Sequence, residues 1–279
     1  MTLFEQARKI AGVYKTNPKL EVIFLGGSVS RGWEDQFSDV ELFLIWNEPP
    51  DDQDRLHPIS QAQGEILNFH PYEDQEWSES FLANGTKFEI SSFLGSTVEG
   101  YIQSMTDGDT SLEKQCLIGA IADGVPFKGT AIFKSYLTSI FPYPKALKEK
   151  LILHSFDFDG RWQSREALAQ RKDSLFLHSI FVDVSKKLLV TLSALNEMYI
   201  HHPGLKWLHE TSERMQVKPE FFSDRIHQIF TNSSLTDSIA QLEELISETE
   251  QLIQLHCPEV SIEHQLKRAQ STRPGAPNL

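Results

Sequence analysis

The amino-acid sequence predicts an α+β fold, in which a small mixed-sheet domain is followed by an all-α helical bundle domain. Short apolar runs bounded by turn residues occupy the first part of the chain and indicate strands. Beyond about residue 97, apolar residues recur every three or four positions, which indicates helices. Breaks at Pro142 and Pro144 then predict a first domain over residues 1–145, a second over residues 146–267 and a mobile, apolar-poor tail over residues 268–279.

The first domain is predicted to combine helices with short strands. Asn17-Pro18 ends an initial run of helical spacing, and Asn84-Gly85 is a typical hairpin turn. The predicted helices are residues 3–16, 110–123 and 131–139. The predicted strands are residues 21–25, 40–46, 65–69 and 87–93, with a loop at residues 47–54.

The second domain is predicted to be helical throughout. Its clearest element is one long helix over residues 173–200, which a turn around His201-His202 ends. Shorter helices are predicted at residues 205–215 and 219–230, and a last helix runs from a capping signal at Ser234 to about residue 255.

Composition and charge narrow the classes of protein to consider. Hydrophobic residues make up 40% of the chain and charged residues 23%, as in ordinary globular proteins. The net charge of −13 disfavours extended nucleic-acid binding and suits a small or cationic partner, although it can equally serve solubility alone. Two distant cysteines, a start without signal-peptide features and the lack of a long apolar segment predict a cytoplasmic protein that does not bind membranes.

The most informative segment is VIFLGGSVSRGWEDQFSDVELFLIW, which reads as strand, glycine turn, polar connection and strand. Asp39 and Glu41 point to the same face of the second strand, since successive strand side chains alternate. Carboxylate oxygens at this spacing are the ligands that Mg²⁺ prefers. We therefore expect Asp39 and Glu41 to bind Mg²⁺ or Mn²⁺, the alternative being a polar strand edge that faces solvent.

The glycine turn before this strand is suited to phosphate binding. Gly26 and Gly27 let an anion approach the backbone, and a helix starting at Ser28 would direct N–H groups and a hydroxyl towards it. Arg31 can add positive charge, although a solvated arginine is the simpler interpretation. Without the carboxylates downstream, the glycine pair would indicate only a tight turn.

These residues resemble the signature of the polymerase-beta-like nucleotidyltransferase superfamily, over about residues 20–95. Gly27 and Ser28 align with its glycine-serine element, and Asp39 and Glu41 align with its Asp-x-Glu element. The resemblance implies metal-dependent transfer of a nucleoside monophosphate, with a third carboxylate on a later strand. Glu89 is the predicted third carboxylate, as a metal ligand or base. An exposed strand glutamate is the alternative, and the competing carboxylates are Glu73, Asp74 and Glu76.

A helical domain after such a unit is similar to the layout of aminoglycoside and lincosamide nucleotidyltransferases. The segments around Asn196 and Tyr199, and Lys206-Trp207, look like elements that those proteins place beside the nucleotide. The resemblance implies that Lys206 reaches phosphate and that Tyr199 or Trp207 stacks on the base. Ordinary helix packing explains the same residues equally well. For the amines of a cationic acceptor, the weaker candidates are Asp157, Asp159 and Asp183.

Other chemistries find little support. The chain lacks a P-loop, a dinucleotide-binding glycine motif, a His-Glu-x-x-His motif and a nucleophile elbow. His201-His202 has no ligand partners at metal spacing and is interpreted as structural, and Cys116 as a packing residue.

Three functions stay open at this stage. The favoured one is an enzyme that transfers a nucleoside monophosphate, AMP from ATP, to a hydroxyl of a small aminoglycoside-like acceptor and releases pyrophosphate. The others are a non-catalytic nucleotide-binding or regulatory protein and an enzyme that transfers AMP to a protein. The sequence does not decide between a monomer and a homodimer.

Overall fold

The computed structural model describes residues 1–202, 204 and 206–273, which form two compact units. The first unit comprises Met1–Asp107 and Glu113–Pro144, and the second comprises Gly108–Leu112 and the chain from Lys145. Residues 203 and 205, within the predicted turn and the helix after it, and residues 274–279 of the predicted tail lie outside the described residues.

The first unit is built on a mixed sheet. Its helices are α1 (Leu3–Tyr14), α2 (Gly27–Arg31), α3 (Asp52–Gln61), α4 (Gly95–Thr106), α5 (Leu112–Ala122) and α6 (Thr130–Ile140). Its strands are β1 (Leu20–Leu25), β2 (Val40–Trp46), β3 (Glu65–Phe69), β4 (Trp77–Ala83), β5 (Thr86–Leu94) and β6 (Val125–Lys128). The sheet order is β3-β4-β5-β2-β1-β6. Strands β2 and β5 are parallel and the other neighbours are antiparallel, which confirms the predicted α+β class.

The two faces of the sheet carry different side chains, because side chains alternate along each strand. One face packs against α1 and α3, and Val40, Leu42 and Leu44 are completely buried there. On the other face Phe24 stacks on Phe43 with ring centroids 4.9 Å apart, and Phe133 of α6 lies 5.1 Å from Phe24. Helix α6 therefore covers the β1 side of this second face.

The structure contains elements that the sequence did not predict. Helix α3 begins inside the predicted loop, where Asp51 and Asp54 form a capping box that apolar periodicity does not reveal. Strand β4 was missed because Glu79 lies on its buried face, which breaks the expected alternation of polar and apolar residues. Helix α4 and the short strand β6, which contains Pro126, were also not predicted.

The second unit is helical in its described part. Its helices are α7 (Lys145–Ser155), α8 (Arg165–Arg171), α9 (Ser174–Leu195), α10 (Leu208–Glu213), α11 (Phe222–Thr231), α12 (Leu235–His256) and α13 (Glu263–Gln270), with a 3₁₀ turn at Trp162–Ser164. Helices α7, α8, α11 and α12 pack against α9. Leu177, Phe181 and Leu188 of α9 are completely buried at its centre.

Two predicted boundaries in this unit are corrected. Helix α9 ends at Leu195 rather than near residue 200, because Asn196 turns the chain and Glu197 adopts a φ of 56°. The predicted tail begins too early, since residues 268–270 still belong to α13. Arg268 pairs with Asp157 at 2.9 Å, and the carbonyl of Ala269 accepts a hydrogen bond from the Trp162 indole.

None of the helices in the described part of the chain combines the length and the apolar character needed to span a bilayer.

Candidate active site

The glycine turn after β1 is packed tightly against β2. The Gly26 N–H donates to the Glu41 carbonyl at 3.0 Å, and Gly27 adopts a φ of 69°. A Cβ on Gly27 would collide with the Glu41 carboxylate, and one on Gly26 would lie 2.5 Å from the Phe43 ring. A side chain at either position would have to displace a residue of β2, and the positive φ of Gly27 also favours glycine there. The Glu41 side chain therefore lies directly beside the turn.

Strands β2 and β5 bring the three predicted carboxylates to one face of the sheet. Their parallel register pairs Glu41 with Glu89, so both side chains point to the same face. Asp39 precedes Glu41 by two residues and shares that face. Asp39 exposes 22% of its side chain and Glu89 exposes 46%. The three carboxylates thus occupy neighbouring positions that a ligand can reach.

A lysine that was not predicted lies among these carboxylates. The Lys87 Nζ atom is 3.4 Å from Asp39 Oδ2 and also contacts Glu89 Oε1. Hydrogen bonding to Glu89 raises the pKa of Lys87, and the nearby Asp39 adds to this effect while partial burial opposes it. The signal for Lys87 was present in the sequence, since Lys87 and Glu89 are two residues apart on one strand and must share a face.

The side chains present fit a divalent cation. They offer oxygen donors, which Mg²⁺ and Mn²⁺ prefer, and two of them already hold the positive charge of Lys87. Within residues 1–202, 204 and 206–273, no three His, Cys, Asp or Glu side chains are gathered as a metal-binding group. A centre made of Asp39, Glu41 and Glu89 together stays a prediction.

The predicted phosphate-binding residues differ in their surroundings. Ser28 is only 6% exposed, and its hydroxyl makes no hydrogen bond to the described residues. Arg31 instead donates from Nε to Asp123 at 3.0 Å, and its guanidinium lies over the Trp33 ring. With a side chain only 6% exposed, Arg31 holds the end of α2 against the residue that follows α5.

The carboxylates that competed with Glu89 lie before β4. Glu73 is exposed near His70, and Asp74 is exposed in a turn with a φ of 50°. Glu76 is half-buried; burial raises its pKa, and a hydrogen bond from Ser91 opposes that shift. Among the three competitors, Glu76 is therefore the one that lies close to β5, near Ser91.

The candidates from the second half of the chain all belong to the second unit. Lys206 is exposed, whereas Tyr199 is only 6% exposed and burial raises its pKa. The Tyr199 ring therefore packs inside the second unit. Trp207 is half-buried. The acidic candidates are also accounted for: Asp157 pairs with Arg268, Asp159 accepts from the Arg161 N–H, and Asp183 is exposed.

His202 and Cys116 have surroundings that suit the structural interpretation of these residues. The His202 Nδ1 atom accepts a hydrogen bond from the Gly204 N–H at 3.0 Å. Burial raises the pKa of the Cys116 thiol to about 11, which suits a packing residue rather than a nucleophile.

Comparison with solved structures finds distant similarities. The chain is similar to a nucleotidyltransferase-like protein from Exiguobacterium sibiricum, with 12% sequence identity and a TM-score of 0.41. The superposition covers 90% of this chain and 75% of that one. No protein-family model and no curated protein match the sequence.

Proposed function

We propose that the chain is a metal-dependent nucleotidyltransferase that moves a nucleoside monophosphate, AMP from ATP, to a hydroxyl of a small acceptor. The observation that carries this proposal is the common face of Asp39, Glu41 and Glu89 beside the Gly26-Gly27 turn. Carboxylates next to a backbone turn with an unused serine hydroxyl suit a metal-bound triphosphate.

Each residue has a stated role in this proposal. Asp39 and Glu41 would hold a divalent cation, which supplies charge neutralisation on the triphosphate when bound. Ser28 donates its hydroxyl to a phosphate oxygen, and Gly27 allows the triphosphate to approach the backbone. Glu89, which exposes 46% of its side chain, accepts the proton of the acceptor hydroxyl.

The transfer balances without another reagent. The acceptor oxygen forms a bond to the α-phosphorus, and the bond from that phosphorus to the bridging oxygen breaks. Pyrophosphate leaves with the electron pair, and the acceptor proton goes to Glu89. An amino sugar of the aminoglycoside type is the proposed acceptor, because the net charge of −13 favours a cationic molecule.

The decisive experiment measures pyrophosphate release from each nucleoside triphosphate with Mg²⁺ or Mn²⁺, with and without a panel of amino sugars. Asp39→Asn is expected to abolish release while keeping the fold, as judged by circular dichroism. Glu48→Gln, an exposed change beyond the other end of β2, is the matched control and should keep full activity. Release that persists in Asp39→Asn would refute the assignment.

A second function is favoured by one observation. The Lys87 ammonium already neutralises Asp39 and Glu89, which suits a protein that binds a nucleotide without transferring it. This regulatory function predicts tight ATP binding with no pyrophosphate release for any acceptor. Calorimetry with ATP and Mg²⁺, run beside the release assay, separates the two functions.

A further inference from the structure

A buried ion pair joins helix α3 to strand β4 on the core face of the sheet. Arg55 and Glu79 expose only 1% and 0% of their side chains, and the Arg55 Nη2 atom lies 2.6 Å from Glu79 Oε2. The Arg55 Nε atom donates to the same oxygen at 2.8 Å. Glu79 pairs with Ile90 of β5 and therefore points away from the face that carries Glu89. The ion pair is thus separate from the candidate active site.

The same arginine holds both ends of the chain segment that leads from β3 to β4. We call this segment, residues 70–76, the β3–β4 connection. The Arg55 Nη2 atom donates to the carbonyl of His70, at the start of the connection, at 2.7 Å and to that of Ser78, just beyond its end, at 3.0 Å. The guanidinium also lies 3.9 Å from the centre of the Phe69 ring at the end of β3. Arg55 therefore joins α3, β3, the connection and Glu79.

Strand β3 is a lightly held edge of the sheet. Within the described residues it pairs with β4 alone, its register is interrupted between Ile66 and Asn68, and four of its five residues are exposed. In the connection that follows, Asp74 and Gln75 have positive φ values of 50° and 66°. Exposed segments with few buried contacts open at a low free-energy cost in a folded protein. This edge can therefore separate from β4 while the rest of the sheet stays folded.

Two buried polar atoms beside the ion pair have no hydrogen-bond partner among the described residues. They are Glu79 Oε1 and the Tyr14 hydroxyl of α1. The charges of Glu79 and Arg55 both act on this hydroxyl, so it lies close to the ion pair. A buried carboxylate with an unpaired oxygen gains hydrogen bonds when water reaches it. Separation of the edge from β4 supplies that water.

The surroundings of Glu79 set its affinity for a proton. The groups that act on it or pack against it are Arg55 of α3, Tyr14 of α1, Glu76 before β4, and the uncharged Phe69 of β3 and Ile90 of β5. Burial has the largest effect and raises the pKa of Glu79 from 4.5 to about 7, with Arg55 opposing the rise and Glu76 adding to it. In the closed edge, Glu79 therefore binds a proton more tightly than a hydrated glutamate does.

This difference fixes the direction in which pH acts on the edge. When the edge opens and water reaches Glu79, the pKa of the carboxyl falls back towards 4.5. Between 4.5 and about 7, the closed form holds a proton that the open form gives up to solvent. Opening therefore becomes easier as pH rises through this range, and the effect levels off above it.

We propose that Arg55 and Glu79 form a latch that holds β3 and the β3–β4 connection on the sheet, and that loss of the Glu79 proton releases it. Release also moves Glu76 away from Ser91 of β5, whose hydroxyl it contacts in the closed form. Ser91 is two strand residues from Glu89 and shares its face, so release uncovers the β5 side of the candidate active site. This consequence for transfer rests on the proposed function, whereas the opening itself does not.

The test is hydrogen–deuterium exchange of the full chain, measured by mass spectrometry from about pH 5 to about pH 8. Rates are divided by the intrinsic exchange rates at each pH to give protection. The reporters are the His70 N–H, which donates to the Ser78 carbonyl at 2.8 Å, and the Glu76 N–H, which donates to the Glu73 carbonyl at 2.9 Å. Their protection should fall by up to about tenfold per pH unit between 4.5 and 7.

Two other parts of the chain separate edge opening from general unfolding. Strand β2, at the centre of the sheet, should stay more protected than the edge at every pH. Helix α9 of the second unit should show no change of protection with pH, since it lies apart from the ion pair in the other unit. A response of β2 equal to that of the edge would overturn the latch.

Three variants test the role of Glu79. Glu79→Gln carries a neutral amide that cannot ionise, so the edge should keep its low-pH protection over the whole range. Glu76→Gln removes a charge that raises the pKa of Glu79, so the response should move to lower pH, and this variant leaves the ion pair intact. Glu65→Gln, an exposed change on β3, is the control and should keep the full response. A response that is absent from the unmodified chain, or that persists in Glu79→Gln, would refute the latch.

Failure of the latch and failure of the proposed function are distinguishable, because exchange is measured without nucleotide or acceptor. Edge opening that depends on pH and on Glu79, in a chain that releases no pyrophosphate, would support the latch and refute the transferase. Release that needs Asp39, in a chain whose edge protection is independent of pH, would do the reverse.

Discussion

The Lys87 Nζ atom lies 3.4 Å from Asp39 Oδ2, across the parallel pair formed by β2 and β5. The same ammonium group contacts Glu89 on its own strand. A lysine therefore occupies the space in which a divalent cation would meet the same oxygens. Lysine and metal ion should compete for these carboxylates.

Lys87→Met should tighten Mn²⁺ binding in the absence of nucleotide. The partly exposed ion pairs are worth about 1 kcal/mol, which corresponds to about a fivefold change in affinity. Electron paramagnetic resonance of free Mn²⁺ measures the effect. Lys9→Met, an exposed change of the same charge on α1, is the control and should leave affinity unaltered. Weaker Mn²⁺ binding in Lys87→Met would contradict competition.

Gly27→Ala should destabilise the protein more than Gly32→Ala does. Both glycines have nearly the same φ, 69° and 70°, but only a Cβ on Gly27 meets a neighbour, the Glu41 carboxylate. Gly32→Ala should cost about 1 kcal/mol for its backbone conformation, and Gly27→Ala about 1–3 kcal/mol more for overpacking. Urea unfolding measures both. Equal losses would show that Glu41 moves away freely.

The buried pair of Arg55 and Glu79 should make folding stability depend on pH. Burial raises the pKa of Glu79 from its ordinary 4.5 to about 7, although Arg55 opposes the shift. Between these values the folded protein holds a proton that the unfolded chain has lost, so the free energy of unfolding falls as pH rises. Above about 7 this contribution levels off.

Glu79→Gln should flatten that part of the pH profile, as measured by urea unfolding at several pH values. Because Gln resembles the protonated carboxyl, the stability of the variant should be closest to that of the unmodified protein at low pH, where Glu79 already holds its proton in the folded state. The exposed change Glu65→Gln is the control and should retain the slope. A Glu79→Gln profile parallel to that of the unmodified protein would exclude this residue as the source.

Asn196→Ala should destabilise the second unit without changing nucleotide affinity. The Asn196 side chain donates to the carbonyls of Leu192 and Val217 and accepts from the N–H groups of Gln216 and Val217, all at 2.8 Å. The backbone groups left unpaired are mostly part-buried, and the loss of their hydrogen bonds should cost about 1–3 kcal/mol. Thermal unfolding and ATP calorimetry test the two parts. Weaker ATP binding with unchanged stability would place Asn196 at the nucleotide instead.

Arg31→Gln and Asp123→Asn should have the same effect if Arg31 is structural. Each breaks the 3.0 Å pair and leaves a poorly solvated partner, at a cost of about 1–3 kcal/mol. Neither should alter ATP affinity. A loss of ATP binding in Arg31→Gln alone would restore the phosphate-binding role that the sequence suggested.

Local features of the fold were predictable because they depend on neighbours in the chain. The strand before Gly26, the strand after Asp39 and the shared face of Asp39 and Glu41 follow from side-chain alternation. The strand at Glu65–Phe69 was predicted with its observed bounds. Helix α3 and strand β4 were missed because each of them buries a charged residue, Arg55 in α3 and Glu79 in β4. A charged residue at a buried position interrupts the apolar repeat from which helices and strands are predicted.

The sequence by itself determined the mixed-sheet and helical parts and the pair of carboxylates on β2, because those depend on the repeat of one strand or one helix. Only the tertiary structure decided that β5 lies parallel to β2, which brings Glu89 and Lys87 beside Asp39 and Glu41. It also placed Ser78 and Ser80 next to Glu89 through β4. The physical reason is that the choice of partner strand depends on packing between distant segments, which no local repeat records.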